Sequence, residues 1–294
     1  MSYIEEFIKY IENKNYSSYT VRCYKRDLNE YFLFLKENKK DILKVDYKFL
    51  RTYLALLYDK NYAKKTIARH ISSLKSFYKF LFKNNIIDKN PMLLIKTPKL
   101  DKKLPKFLYY DDIDSLLNIP DTNTFLGLRD ALILETLYST GIRVSELVNI
   151  KLKDIDYNEN AILILGKGNK ERYVIYGSKM ENLLEKYISE RSTFKIDHDY
   201  LFVNRYYNKI TDRSIRKIIE TNIKKGALNL NVSPHTLRHT FATHMLDSGA
   251  DIEIVRELLG HESLSTTQIY THVTNESLKR VYDNSHPRAK NIDK

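Results

Sequence analysis

Apolar residues recur at three- and four-residue spacing through the first hundred positions. The pattern is plain in YIEEFIKYI, TVRCYKRDLNEYFLFLKE, VDYKFLRTYLALLYDK and KKTIARHISSLKSFYKFLFKN, and a 3.6-residue period predicts four amphipathic helices. Short connections would pack them as a small bundle. Ser17 or Ser18 is placed to cap the second helix, and Ala63 to Lys65 open the fourth. The fourth has an apolar stripe of Ile67, Ile71, Leu74 and Leu81 and carries Lys64, Lys65, Arg69, Lys75 and Lys79 around it. One face would then sit in a core and the other in solvent or near phosphates.

The helical period stops at NPMLLIKTPKLDKKLPKF. Pro91, Pro98 and Pro105, with lysines between them, favour extended chain over helix. The expected organisation is a helical domain over 1–98, a linker over 99–106 and a second domain over 107–294. In the second domain YDDIDSLL has acids in the first turn of a helix, and FLGLRDALILETLYSTG reads as a long buried helix stopped by Gly141. AILILGKGNKERYVIY is two apolar runs around a glycine-containing turn, a β-hairpin. Helical patterns return to the end, giving a mainly α chain with a small β-hairpin or sheet.

Charge sharpens this division. Residues 1–103 hold 23 Lys and Arg against 11 acids, while the remainder holds 26 of each. All of the net +12 lies in the first third of the chain, as expected for a polyanion-binding module joined to a neutral partner. A lysine-rich solvated surface would give the same count. No window approaches the roughly 18 apolar residues of a membrane span. Cys23 is the only cysteine, so an intrachain disulfide and a zinc–cysteine site are excluded. The N-terminal segment is an acid-containing amphipathic helix, unlike a signal peptide; a cytoplasmic protein is expected.

Candidate chemistry concentrates in SPHTLRHTFATHMLDSGADIEIVRELLGHESLSTTQIYTH, which holds five of the eight histidines. His235 and His239 have the spacing of a zinc pair. The intervening Thr-Leu-Arg supplies no glutamate base, and its arginine would repel a cation. GKGNK lacks the spacing of a phosphate-cradling loop, and no carboxylate set suits Mg²⁺; no metal or cofactor is expected. Ser233 and Pro234 open a helix that projects His235 and Arg238 from one side. A second helix stops at Gly260, leaving His261 at the break, and Ser265 can start the segment that delivers Tyr270. Arginine and imidazolium suit the non-bridging oxygens of a phosphodiester, and two cations facing one phosphate would stabilise a pentavalent transition state. Arg143, in STGIRVSELV, is the leading second arginine. Each residue alone has a plain structural role open to it: Tyr270 is one of 23 tyrosines, and Arg143 could pair with Glu146.

TGIRVSEL, GKGNKER, HTLRHTFATHML, LLGHESLSTTQIYTH and HPRA, in this order, resemble the motifs of the tyrosine recombinase (phage integrase) family and its bacterial Xer branch. The resemblance covers nearly the whole chain, and the basic helical domain resembles the family's core-binding domain. It implies that Arg143 is the first catalytic arginine and Lys167 the hairpin lysine that protonates the leaving 5′-hydroxyl. His235 and Arg238 are the His-x-x-Arg pair, His261 the second histidine and Tyr270 the nucleophile. His239, His244 and His272 match no catalytic position and are assigned to packing or solvent. Strand exchange through a 3′-phosphotyrosine bond, without metal or ATP, is the implied reaction.

The implied partners are a double-stranded recombination site, a tetramer of protomers on two duplexes and a septal DNA translocase. Lys65, Arg69 and Lys75 are expected near phosphates. The tail NESLKRVYDN is expected to be a short helix that packs into a neighbouring protomer through Val281 and Tyr282. Chromosome dimer resolution is the expected role. An integrase of a phage or mobile element, a type IB topoisomerase and a catalytically silent DNA-binding architectural protein are the alternatives.

Overall fold

A computed structural model of the chain describes residues 3–99, 107–166, 170–260 and 275–289. It divides into two units, Met1–Lys103 and Leu104–Lys294.

In the first unit the four expected helices are α1 (Tyr3–Asn13), α2 (Ser18–Glu37), α3 (Tyr47–Asp59) and α4 (Lys64–Lys83). Ser17 caps α2 by accepting from the Thr20 backbone N–H at 3.1 Å. Asp46 caps α3 in the same way through Phe49 at 2.7 Å, whereas Ala63 begins α4 with no side-chain cap. The core is aromatic as much as aliphatic: Phe7, Tyr31, Tyr53, Phe77 and Tyr78 are buried among Leu28, Leu50, Ile67, Leu74 and Leu81. Buried phenols need hydrogen-bond partners. Tyr31 and Tyr78 bond each other at 2.8 Å, and Tyr78 also donates to the Ile42 carbonyl. Helix α4 is therefore fixed by apolar contacts and hydroxyl bonds on one side, leaving Lys64, Lys65, Lys79 and Lys83 exposed on the other.

The second unit is built around α6 (Phe125–Thr140), whose residues from Leu128 to Thr140 are nearly all buried. Such a helix needs neighbours on every side. They are α5 (Tyr110–Leu117), α8 (Ser178–Ser192), α9 (Asp212–Lys225) and α10 (Pro234–Asp247). The hairpin is present as β2 (Ala161–Leu165) and β3 (Glu171–Ile175), paired antiparallel with Leu163 opposite Tyr173. A two-residue strand, β1 (Ile155–Asp156), adds to the far edge of β2; so short a strand carries no readable period. The short α7 (Val144–Leu147) follows α6, and α11 (Ile252–Leu259) and α12 (Asn275–Ser285) complete the unit.

A second apolar cluster holds the last helices against the hairpin. Ala161 and Ile175 meet Phe241, Met245, Val255, Leu258, Leu259, Leu278 and Tyr282. Gly141, at the end of α6, has φ +61°, and an added Cβ would lie 2.5 Å from the Phe241 ring and 2.9 Å from Leu259. Only glycine allows both this left-handed turn and that approach. The ends of α6 and α11 and the middle of α10 meet there as a consequence.

The tail forms the helix α12. Helix α12 packs on α10, α11 and β3 of its own unit, and Tyr282 is 1% exposed, stacked on His286 with ring centroids 4.8 Å apart. Tyr282 fills an apolar core of its own unit in the single chain. Val281 is partly buried against the same cluster.

Candidate active site

The site begins with the cap of α10. Ser233 Oγ accepts from the Thr236 backbone N–H at 3.1 Å, and the Thr236 hydroxyl returns to the Ser233 N–H at 3.1 Å. With Pro234 in the first turn, this fixes where α10 starts and so where its first polar side chains emerge. His235 is exposed. Arg238, one turn on, is buried, with 6% of its surface accessible.

Arg238 donates to the Gly141 carbonyl at 2.7 Å and to the Leu259 carbonyl at 2.6 Å. It thus ties α10 to the ends of α6 and α11. Burial pulls its pKa down to about 10, and the neighbouring Arg143 and Arg172 add to that while Glu146 opposes it. The guanidinium stays charged at neutral pH.

Arg143 leaves the chain two residues after the Gly141 turn. Its backbone N–H donates to Glu146 Oε2 at 2.8 Å and its guanidinium to Glu146 Oε1 at 2.9 Å. It also reaches the Gly260 carbonyl at 3.3 Å. The pairing of Arg143 with Glu146 is therefore real, but its carboxylate is buried rather than at the surface: the side chains are 38% and 5% exposed. Arg172, on β3, forks onto the same carboxylate at 3.1 and 2.9 Å. Its Nε donates to the Leu258 carbonyl at 3.2 Å.

Two guanidiniums thus hold one buried carboxylate, and that of Arg238 is near enough to feel its charge. Burial pushes the Glu146 carboxyl up, yet the hydrogen bonds from Arg172 and Arg143 outweigh this and hold it below the ordinary glutamate value. One negative charge among three positive ones leaves a local excess of two cations, suited to a phosphodiester.

Of the six expected catalytic residues, the structure brings Arg143 and Arg238 together at consecutive carbonyls of the α11 end, with His235 on the helix that carries Arg238. Lys167, His261 and Tyr270 lie outside the described residues. The residues just before Lys167 and His261 are described: Gly166 N–H donates to the Lys170 carbonyl at 2.7 Å across the hairpin turn, and Gly260, with φ +64°, immediately precedes His261. Arg172 was not singled out from the sequence, and Glu146 was named there only as a possible partner of Arg143. The available signals were a glutamate three residues after Arg143 and an arginine at the end of GKGNKER, neither of which reports burial.

His244 is a packing residue, as expected. It sits between the Tyr138 hydroxyl at 2.9 Å and the Leu108 carbonyl at 3.0 Å, under the stacked ring of Tyr110. His239 is half-buried, with its pKa lowered by burial and by His235. His272 lies outside the described residues.

On the basic helical unit Lys65 is exposed and Lys75 half-buried. Arg69 differs: its guanidinium is turned into the bundle, bonded to the buried Asp27 and to the Cys23 carbonyl. His70 approaches the same carboxylate at 3.4 Å and meets the Tyr53 hydroxyl at 3.2 Å. Counting cations on α4 could not separate a solvent-facing lysine from an arginine claimed by an acid on α2. Helix α2 itself adds exposed Arg22, Lys25 and Arg26 beside α4, and α9 adds exposed Arg213, Arg216 and Lys217.

Residues 106–277 match the model of the phage integrase family, and residues 4–85 match that of the phage integrase N-terminal SAM-like domain. Tyrosine recombinase XerC of Anoxybacillus flavithermus is 47% identical, with 96% of this chain and 97% of that one covered. Tyrosine recombinase XerC of Listeria innocua is 45% identical, with 97% of each covered. Among solved structures, XerA recombinase is 32% identical with TM-score 0.52, covering 97% of this chain and 99% of that one. XerH site-specific recombinase, in a pre-cleavage complex with its difH substrate, is 27% identical with TM-score 0.67, covering 87% and 78%.

The geometry makes three predictions. Glu146→Gln lowers stability at neutral pH, and the deficit shrinks in acid. The wild-type carboxylate is held below its usual value of 4.5, so its contribution is present above that pH and is lost as pH falls through the depressed value. Thermal melts at pH 7 and pH 3.5 would show the two proteins converging; a constant gap would contradict the ion-pair geometry. Lys65→Ala reduces the salt dependence of DNA binding by about one counterion while leaving stability unchanged. Arg69→Ala instead lowers stability by about 2 kcal/mol, because a buried Asp27 loses its main partner. Equal melting temperatures for wild type and Arg69→Ala would contradict this.

Proposed function

The chain belongs to the phage integrase family, as a site-specific tyrosine recombinase of the Xer type, and from that premise we propose a reaction path and a role for each side chain. Tyr270 attacks the scissile phosphorus through its phenolic oxygen. The bond from phosphorus to the 5′-oxygen breaks, leaving DNA joined to the protein as a 3′-phosphotyrosine. Lys167 gives its proton to the departing 5′-oxygen, and His235 takes the phenol proton. Arg143 and Arg238 bind the non-bridging oxygens, with His261 as a further donor, as charge builds on the pentavalent phosphorus. The 5′-hydroxyl of a partner duplex then attacks the phosphotyrosine and displaces Tyr270. One phosphodiester replaces another, so bond energy is conserved.

The observation that carries this reading is the pair of arginines, 95 positions apart in sequence (143 and 238), that reach consecutive carbonyls of one helix end. Glu146 supports Arg143 there as a positioning residue. The DNA partner contacts the basic faces of α2 and α4 in the first unit, through Lys65, Lys75, Arg22 and Lys25, and the exposed arginines of α9 in the second. Arg69 contributes to that surface only indirectly, by fixing α2 to α4.

We further propose that the biological reaction is resolution of chromosome dimers, on a tetramer of protomers joining two duplexes in the cytoplasm, with a septal DNA translocase as activator. The identity to proteins named XerC over almost their full length supports this role over that of a mobile-element integrase.

A nicked suicide duplex carrying a Xer-type recombination site tests the chemistry. Incubated in EDTA, wild type forms a protein–DNA adduct that survives denaturing electrophoresis, and Tyr270→Phe forms none. Tight binding without any adduct would favour the architectural reading. An adduct that persists in Tyr270→Phe would mean that the nucleophile lies elsewhere.

A further inference from the structure

The last turn of α11 has an unusual set of partners. Its three consecutive carbonyls, of Leu258, Leu259 and Gly260, each accept from a different arginine: Arg172, Arg238 and Arg143. Free carbonyls at a helix C-terminus carry partial negative charge and need donors. Here those donors come from β3, from α10 and from the segment after α6, three parts of the chain far apart in sequence.

Two of the three arginines are themselves expected to touch substrate. Arg172 is not, yet it joins a helix-end carbonyl to a buried carboxylate. Besides the Leu258 carbonyl, it holds both oxygens of Glu146, the carboxylate that in turn orients the backbone and side chain of Arg143. Its guanidinium also lies against Gly260, where an added Cβ would be 3.1 Å from its Cζ, and near Gly166, where an added Cβ would be 3.4 Å from one of its terminal nitrogens. Gly166 and Gly260 are the residues directly before Lys167 and His261. With 15% of its side chain exposed, Arg172 is enclosed by groups that lead to the active site.

We propose that Arg172 is a positioning residue of the recombination reaction: it clamps the end of α11 to Glu146, and so sets the chain entering His261 and Tyr270 in register with Arg143. This rests on the tyrosine recombinase reading for what the clamp serves, but the clamp itself is independent of it. The planar fork is required. One guanidinium spans a carboxylate bidentately and still offers Nε to a carbonyl on its other edge, which a lysine ammonium cannot do. A small change of angle at Gly260 alters the direction in which the chain leaves α11, and reactions of this kind lose rate steeply with misplacement.

The test uses the full chain with Arg172→Met and Arg172→Lys, in two arms. Without DNA, hydrogen exchange of peptides spanning 256–262 speeds up about tenfold or more in Arg172→Met, while peptides of α6 and β2 keep wild-type rates. With the nicked duplex, single-turnover adduct formation falls at least about tenfold in Arg172→Met, DNA affinity stays within about twofold, and Arg172→Lys recovers only part of the rate. Unchanged exchange over 256–262 would overturn the clamp. A fall in rate matched by an equal fall in affinity, or by general loosening of α6, would reduce Arg172 to an ordinary structural residue and overturn the positioning role. A wild-type protein that forms no adduct would count against the recombinase reading, and the exchange arm would still decide the clamp.

Discussion

The catalytic unit depends on one buried carboxylate. Glu146 is taken out of water on the first turn of a four-residue helix, and such a charge is tolerable only if it is paired and hydrogen-bonded. Arg143 and Arg172 supply four side-chain and backbone donors between them. Removing either arginine would leave the carboxylate underpaired, so the three groups form a unit rather than a set of independent contacts. The arginine side chains are long and flexible in isolation; the carboxylate is what gives them a fixed direction before any substrate arrives.

From that unit, constraint spreads through helix ends. The arginines that Glu146 holds also reach the carbonyls at the end of α11, and Arg238 joins them from α10. The approach is possible because Gly141 and Gly260 both take left-handed turns, and because Phe241 and Leu259 fill the space that a side chain at Gly141 would need. Apolar packing behind the hairpin brings the helix ends together, and the arginine–carbonyl bonds then define their separation. Preorganised cations of this kind suit a reaction in which negative charge builds on phosphorus.

Much of this was legible in the sequence because local signals agreed with the tertiary outcome. Ser233 and Pro234 marked the start of α10, Gly141 and Gly260 marked helix stops, and the four helical periods of the first unit reproduce α1 to α4. What could not be read depended on burial and on partners distant in sequence. Glu146 looks like any acid after an arginine until its burial is known. Arg172 alternates with its neighbours on a strand whose facing surface the sequence does not specify. Arg69 looked like one cation of a basic stripe, but Asp27, 42 positions earlier, had claimed it.

The most direct test of Glu146 and Arg172 as one unit is a double-mutant cycle on single-turnover adduct formation, with Arg172→Met, Glu146→Gln and the two combined. Groups acting as a unit give non-additive losses. The double variant is predicted to cleave no more slowly than the slower single variant, because the second change also removes the carboxylate that the first leaves underpaired. Losses that multiply, with the double variant slower by the product of the two single effects, would show that the residues act separately and would contradict the central claim.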